Sequence, residues 1–400
     1  GLLASLGKKG ITYDEMGHVT AGYGYWRYND YRLDPENGNL PQRLMALPLV
    51  FGGRQFQFPP PDSAGWRTSD VWALGRQWFH EMGHDVSAML FRGRAIMGLV
   101  AVALGALVWL WSRRLFGPVG GMLSLLLYAL SPIVLANGAL MTSDTTSALF
   151  FLAAVGSLWE VAHRITIGRV LVSGLCLGGL CVAKMSAILV VPMALILAVA
   201  RLAGGRPLTV ALGGLREITR RPGQVLALAA VGLLQVLIVW AVIWGSYGFR
   251  YGAFAKGEPV HGEFQHRWEV VLGKSDPLDL VSRLTLTDAQ RAQMARMPQA
   301  GNVPADPWAR PRLDAFDAVR RNILSPAQNR QLDEWLAEPP REWPARVADF
   351  ARRHQLLPEA YLYGQTAIWR FTGARFSFLN GRFNVSGDRW FFPYAFLKSE

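Results

Sequence analysis

Long apolar runs dominate the first 245 positions of the chain, and short polar or basic stretches separate one run from the next. The runs are Ala95–Trp111, Val119–Leu140, Thr145–Ala162, Val170–Val199 and Val225–Trp244. An α-helix needs about 20 apolar residues to cross the hydrocarbon core of a bilayer, and most of these runs are close to that length. Val170–Val199 is too long for one span, and Lys184 interrupts it.

Basic residues decide whether Val170–Val199 crosses once or twice, because short cytoplasmic loops collect Lys and Arg. Three basic clusters follow apolar runs: Arg113 and Arg114; Arg164 and Arg169; and Arg201, Arg206, Arg216, Arg220 and Arg221. All three share one side only if the long run forms two helices that turn near Ala183–Ser186. This arrangement places the region before Arg94, the turn Met141–Asp144 and Lys184 on the opposite, external face.

Composition agrees with a membrane protein that carries a water-facing insert. Charged residues make up 18% of the chain, against roughly 25% in soluble proteins. Charge is concentrated in Gly257–Gln355, which is rich in Asp, Glu, Arg and Pro and includes short amphipathic helical patterns such as LTDAQRAQMARM. The net charge of +12 is explained by the basic loops and by contact with anionic lipids, so no nucleic-acid partner is expected.

These patterns predict an all-α, multi-pass membrane protein with external juxtamembrane helices and a soluble external insert. The predicted segments are a first external loop at 1–92, a transmembrane bundle at 93–245, the insert at 246–360 and a further external segment at 361–400. We expect at least one span before Gly1 and several after Glu400. The reasons are that GLLASLG resembles the last turn of an apolar helix, whereas WFFPYAF resembles an interfacial aromatic belt.

Two near-identical pentapeptides are candidates for chemistry: DEMGH at Asp14–His18 and HEMGH at His80–His84. HEMGH matches the H-E-x-x-H pattern, in which a helix places two His ligands of zinc on one face and Glu81 acts as the general base. No third-ligand motif follows. The match to H-E-x-x-H nevertheless makes a membrane zinc metalloprotease the alternative function.

DEMGH opens a predicted external segment that contains several carboxylates. They are Asp14, Glu15, Asp30, Asp34 and Glu36, and His18 lies among them. A carboxylate near a low-dielectric boundary is costly unless it is paired or used in function. The first external loop is thus a candidate active site, although solvated surface carboxylates would give the same pattern.

The order of several motifs resembles the GT-C class of polyprenyl-phosphate-sugar-dependent glycosyltransferases, which includes protein O-mannosyltransferases and aminoarabinose transferases. The motifs are DEMGH, GYGYW and DYRLDPENGNLPQRLMALPL in the first loop, LMTSD at Leu140–Asp144, GLCVAKMSAILVVP at Gly179–Pro192, and PEAYLYG, FLNG and RWFFPYAFLK within Leu357–Lys398. The resemblance covers most of the chain outside Gly257–Gln355.

The resemblance implies an inverting enzyme of the inner membrane, with an external active site. It would move a sugar from a polyprenyl phosphate to a protein, lipid or glycan acceptor. Asp14 is expected to be the catalytic base, with Glu15 and Asp144 as further catalytic candidates. The candidates for binding the donor and its phosphate are Arg43, Arg92, Arg94, Lys184, Glu36 and Tyr363. Two of these candidates also have a structural explanation. Asp144 can cap a helix, and the side chain of Lys184 can extend to the membrane interface.

The chain departs from the family pattern at Pro35–Gln42. Many relatives read P-E-H-P-P-L-x-K there, whereas this chain reads PENGNLPQ, so only the glutamate of the charged positions is kept. His18 and Glu36 are weak candidates for metal ligands. No cofactor is expected with certainty, although a divalent ion stays possible. A transporter is a third possibility. It predicts polar or broken-helix signals near the bilayer midplane, whereas the charges of this chain cluster at the predicted external surface.

Overall fold

The structure is a computed structural model, and it describes residues 9–52, 56–211, 214–255, 264–274, 277–296, 310–372, 377–384, 388, 390–391 and 393–394. The chain forms two compact units. The first comprises the described residues of Gly1–Phe264 and Leu357–Gly364, and the second those of Gln265–Leu356 and Gln365–Glu400. The apolar start GLLASLG and residues 395–400 lie outside the described residues. The four predicted segment boundaries stay predictions.

The first unit begins with helices that precede the membrane spans. They are α1 (Tyr13–Arg27), α2 (Asn39–Phe51), α3 (Ala64–Arg67) and α4 (Val71–Arg76), followed by one π-helical turn at Gln77–Glu81. Helices α1 and α2 pack against each other so closely that a Cβ at Gly22 would lie 1.9 Å from the carbonyl oxygen of Gln42. The first loop is therefore a folded, largely buried helical layer.

The transmembrane part of the first unit follows. Its helices are α5 (Val86–Leu130), α6 (Pro132–Asn137), α7 (Asp144–His163), α8 (Ile167–Ala183), α9 (Val190–Ala203) and α10 (Arg221–Ser246). Four helices in the described residues are long and apolar enough to span a membrane, counting α9 together with the 3₁₀ turn Met185–Leu189 that precedes it, and α8 is a shorter apolar helix. The predicted all-α, multi-pass fold is thus confirmed.

Helix α5 is two helices joined at a kink, since Gly117 has a φ of 78° and Pro118 follows it. Pro lacks the N–H that a continuous helix needs, so the chain turns at this point. The helix that contains the first apolar run begins before that run, at Val86, so Arg92 and Arg94 lie inside the helix and not at its end. The second predicted span was too long, because the helix stops at Leu130 and α6 starts at Pro132.

The predicted break in Val170–Val199 is present. Helix α8 ends at Ala183, Lys184 is extended with φ −157° and ψ 142°, and the 3₁₀ turn Met185–Leu189 leads into α9. Two helices therefore replace one overlong span, and the three basic clusters fall at one end of the bundle. We call this the basic end, and the opposite end, which carries Asp144 and Lys184, the site end.

A small sheet at the basic end was not predicted. Strands β1 (Arg164–Thr166) and β2 (Leu208–Ala211) pair in parallel, and β3 (Leu215–Ile218) pairs antiparallel with β2. Arg201 is buried beside the sheet, where its guanidinium donates to the carbonyl oxygens of Ala162, Arg206 and Pro207 at 2.8 to 3.0 Å. Arg201 thus has a structural role in addition to its contribution to the basic cluster.

The second unit is built mainly from short helices. They are α11 (Trp268–Val271), α12 (Pro277–Ser282), α13 (Asp288–Ala295), α14 (Arg310–Asn322), α15 (Pro326–Ala337) and α16 (Trp343–Arg353). Helix α17 (Glu359–Phe371) starts in the first unit and ends in the second, and strands β4 (Ser377–Leu379) and β5 (Arg382–Asn384) form a hairpin. An apolar cluster around Val281, Phe316 and Leu332 forms the core of the helical part.

A close backbone contact joins the first loop to the break at Lys184. A Cβ on Gly38 would lie 2.2 Å from the carbonyl oxygen of Val182 and 2.4 Å from the carbonyl carbon of Ala183. Gly38 has an ordinary φ of −65°, so lack of space, not backbone strain, requires glycine here. This contact places the start of α2 against the end of α8.

We predict that Gly38→Ala destabilises the protein by about 1–3 kcal/mol, because the added methyl group overlaps backbone atoms that cannot rotate away. Gly232→Ala is the matched control, since Gly232 lies inside α10 with nothing within 4 Å of its would-be Cβ. The measurement is thermal unfolding of both variants in detergent micelles. Equal melting temperatures for the two variants would contradict the close contact.

Candidate functional site

A buried ion pair anchors the start of α1. The Nε of Arg94 donates to Oε1 of Glu15 at 2.8 Å, and its Nη2 donates to Oε2 at 2.7 Å. Both side chains are fully buried. Arg94 also donates to the carbonyl oxygens of Lys9 and Gly10 at 2.8 and 2.7 Å. The pair therefore fixes the first loop to the site end of α5.

Glu15 accepts further hydrogen bonds from the backbone and from a hydroxyl. The N–H and the hydroxyl of Thr12 donate at 2.9 and 3.0 Å, and the N–H of Met141 donates at 3.1 Å. Burial alone would raise the pKa of Glu15, but the bonds from Arg94, Thr12 and Met141 outweigh it, so this pKa lies below its ordinary value. Glu15 is thus held as a carboxylate.

Asp14 is the neighbour of Glu15 on α1, but its side chain is exposed. Successive residues of an α-helix point about 100° apart, which is why one carboxylate enters the core while the next faces outward. The fixed Glu15 therefore also fixes the backbone that carries Asp14. Among the predicted catalytic residues of α1, Asp14 is the one that a substrate can reach.

His18 lies one helical turn after Asp14 and is bonded to a third carboxylate. Its Nδ1 lies 2.7 Å from Oδ2 of Asp34. Asp34 also accepts from the side-chain amide of Asn37 at 2.9 Å and from that of Gln42. In this chain, Gln42 occupies the position where the family pattern has Lys. Asp34 therefore accepts from a neutral amide at that position, and its ion-pair partner is His18.

Several charges act on His18. Burial lowers its pKa, but Asp34, and then Asp14 and Asp144, raise it, so that the net shift is upward. Asp14 and Asp144 must therefore lie near enough to His18 for their charges to be felt. The site end thus brings together carboxylates from the first loop and from the start of α7.

Asp144 and Lys184 form an ion pair between two transmembrane helices. Asp144 is the first residue of α7, and Lys184 occupies the break after α8. The Nζ of Lys184 donates to Oδ1 of Asp144, whose side chain is 71% exposed. Ser143, not Asp144, is the N-cap of α7. The capping role considered for Asp144 is therefore not the one that the structure shows.

The other predicted donor-binding residues lie in different surroundings. Arg43 donates to the hydroxyl of Tyr31 at 2.9 Å, and its guanidinium lies 4.8 Å from the ring centre of Trp26. Arg92 is partly buried over Phe56. Their side chains are the accessible cations of α2 and of the start of α5.

Glu36 and Tyr363 complete the predicted donor-binding set. Glu36 is partly buried in the loop between α1 and α2. Tyr363 is almost fully buried in α17, and its ring stacks on Phe264 with centroids 4.0 Å apart. The next residue, Gly364, approaches the carbonyl oxygen of Pro35 so closely that a Cβ would lie 1.8 Å away. Tyr363 is thus placed to support that loop.

The geometry of HEMGH does not match a zinc protease. The π-helical turn ends at Glu81, and Gly83 has a φ of +69°, so His80 and His84 do not share a helical face. The ring of His84 bonds the carbonyl oxygen of Gln57 at 2.8 Å. No group of three or more His, Cys, Asp or Glu side chains that could hold a metal ion occurs among the described residues.

Sequence reasoning did not find the Glu15–Arg94 and His18–Asp34 pairs. Both were within the candidate region, but Arg94 lies 79 positions from Glu15, and no local spacing joins them. The sequence did indicate one other pair of neighbouring side chains. Asp14 and His18 are four residues apart, and residues at this spacing lie next to each other on a helix.

Comparison with known proteins agrees with the predicted resemblance. The family model of dolichyl-phosphate-mannose-protein mannosyltransferases matches residues 73–244. No curated protein and no solved structure matches the chain. The match confirms the resemblance and supports a membrane glycosyltransferase of the GT-C type. The matched segment contains Arg92, Arg94, Asp144 and Lys184, whereas Asp14 and the rest of residues 1–72 precede it.

We predict that Glu15→Gln or Arg94→Met each destabilises the protein by about 3–5 kcal/mol, since each leaves one buried charge without its partner. The double variant should lose less than the sum of the two, because it leaves neither charge unpaired. Thermal unfolding of the single and double variants in one detergent gives the double-mutant cycle. Strict additivity would show that the two side chains do not interact.

A second prediction concerns pH and His18. Because folding raises the pKa of His18, the folded state binds its proton more tightly, and this stabilisation is complete below about pH 6.5. It is lost as the pH rises through the raised pKa. The melting temperature of the wild type should thus fall over this window more than that of His18→Gln. Identical pH profiles of wild type and variant would contradict the His18–Asp34 pair.

Proposed function

We propose that the protein transfers a sugar from a polyprenyl phosphate to an acceptor hydroxyl, with inversion at the anomeric carbon. The observation that carries this proposal is that Asp14 is an exposed carboxylate beside the buried anchor Glu15. Glu15 also accepts from the N–H of Met141, three residues before Asp144, which is paired with Lys184. A donor whose lipid lies in the bilayer presents its anomeric carbon at this boundary. This boundary is where a base and a phosphate-binding cation would be needed, which supports the proposed roles of Asp14 and Lys184.

Asp14 is proposed as the general base. It takes the proton of the acceptor hydroxyl as the hydroxyl oxygen attacks the anomeric carbon. A bond forms between that oxygen and the carbon, and the bond from the carbon to the phosphate oxygen breaks with its electron pair on the phosphate. The transition state resembles an oxocarbenium ion, which a nearby carboxylate stabilises. Direct displacement of this kind inverts the anomeric centre.

Lys184 is proposed to neutralise the departing lipid phosphate, because cations at a developing negative charge lower the barrier. In the structure its ammonium group is bonded to Asp144, so the phosphate would compete with this carboxylate or join it. Arg43 and Arg92 are proposed as further phosphate contacts. Glu36 and Tyr363 are proposed to shape the donor site from the loop after α1.

Glu15 and Arg94 are proposed as positioning residues, because their side chains are buried and bonded to each other. His18 and Asp34 are proposed to set the electrostatic environment of Asp14. By the same reasoning the site end faces outward across an inner membrane, since the basic end carries the Arg clusters.

The test uses full-length enzyme in membranes with labelled polyprenyl-phosphate sugars. Asp14→Asn should lower the transfer rate by about 10²–10⁴-fold, because a positioned general base contributes on that order. Lys184→Gln should also lower it, through loss of charge at the phosphate. The readouts are sugar transfer and sugar release over time.

Glu81→Gln is the control that separates the two pentapeptides, since Glu81 is exposed and makes one long contact to Arg76 at 3.7 Å. Its activity should equal that of the wild type. Full activity in Asp14→Asn would overturn the assignment of the base. No turnover of any lipid-linked sugar by the wild type would overturn the proposed function itself.

A further inference from the structure

A cavity of about 390 Å³ lies between α5, α7 and α8 near the basic end. Its volume falls within the range of about 300–1,000 Å³ that is typical of small-molecule sites. Trp111, Ser157 and Cys176 contribute to its wall, and most of the wall is apolar. Val172, which also lines the cavity, is 55% exposed. The cavity therefore opens on the side surface of the helical bundle.

The polar part of the wall consists of two arginines and one glutamate. Nη2 of Arg169 lies 2.7 Å from Oε2 of Glu160, and Nη1 of Arg114 lies 3.4 Å from Oε1 of the same carboxylate. Two guanidinium groups against one carboxylate give the rim a net charge of +1. The side chain of Arg114 is 51% exposed, and a guanidinium carries five N–H donors, so it can donate to another acceptor as well.

We propose that this cavity binds one anionic phospholipid of the leaflet at the basic end, with an acyl chain inside it and the phosphate at Arg114 and Arg169. Guanidinium groups donate pairs of hydrogen bonds to phosphate oxygens. Basic pockets between transmembrane helices on the cytoplasmic side are a known form of anionic headgroup recognition. Here a charged rim and an apolar interior occur together, which fits a lipid better than a free ion.

The site is distinct from the proposed sugar-transfer site, because Glu160 and Arg169 lie at the opposite ends of α7 and α8 from Asp144 and Lys184. Arg114 of α5 lies beside Glu160. Two of the helices that line the cavity are nonetheless those that carry this pair, α7 at its start and α8 at its end. A lipid bound here contacts α5, α7 and α8 at once. It therefore braces the helices that hold the Asp144–Lys184 pair.

The first test measures lipid retention in full-length protein reconstituted in nanodiscs of phosphatidylglycerol and phosphatidylcholine, then extracted in mild detergent. Native mass spectrometry counts the phosphatidylglycerol molecules that stay bound to the protein. Arg114→Gln combined with Arg169→Gln should weaken the retention of one phosphatidylglycerol molecule by about tenfold or more. Arg113→Gln is the matched control, since Arg113 is in the same basic cluster but does not line the cavity.

A second variant tests the apolar interior without changing charge. Ser157→Leu places a larger side chain in the cavity, so it should reduce retention while both arginines remain. Melting temperatures check that each variant is folded. An Arg114/Arg169 double variant that retains as much phosphatidylglycerol as the Arg113 variant would overturn the proposal. Equal retention of phosphatidylcholine, or displacement of the lipid by millimolar inorganic phosphate, would overturn it as well.

Discussion

The buried ion pair between Glu15 and Arg94 is the interaction on which the site end depends. Removing two charges from water costs several kcal/mol per ion, and the cost is recovered only if the remaining donors and acceptors are satisfied. Here the carboxylate accepts from Arg94, Thr12 and Met141, and the guanidinium also donates to the carbonyl oxygens of Lys9 and Gly10. The pair thus joins the entry to α1, the start of α5 and the loop before α7.

The position of Asp14 follows from that pair. Glu15 holds the first turn of α1 in one orientation, and in that orientation the side chain of Asp14 is exposed. The same loop is held a second time by the close approach of Gly38 to Val182 and Ala183, next to Lys184. The first loop is therefore fixed to both α5 and α8, and the exposed charges of three segments meet at one end of the bundle.

Features that depend on the bilayer could be predicted from the sequence. The distribution of arginines predicted two passes in Val170–Val199 with a turn near Ala183–Ser186, and the helix does end at Ala183, next to an extended Lys184. Features that depend on tertiary contact could not be predicted. Arg201 was counted as a basic loop residue, yet it is buried, and the bonds that it makes to Ala162, Arg206 and Pro207 involve carbonyl groups that every residue carries. The partner of Glu15 could not be predicted either, because a contact between residues far apart in the sequence leaves no periodic signal.

The two pentapeptides show how neighbouring residues decide what a short motif does. In DEMGH the bonds between Thr12 and Glu15 start a helix, and a Cβ on Gly17 would lie 2.8 Å from the ring of Trp72, so the glycine is inside a packed layer. In HEMGH the equivalent glycine, Gly83, follows the helical turn, has a positive φ and has nothing within 4 Å of its would-be Cβ. Thus the same E-M-G-H letters are an anchored helix in one place and a solvent-facing turn in the other. A metal site requires its ligands to be fixed toward one point, which a turn without packing partners at Gly83 does not provide.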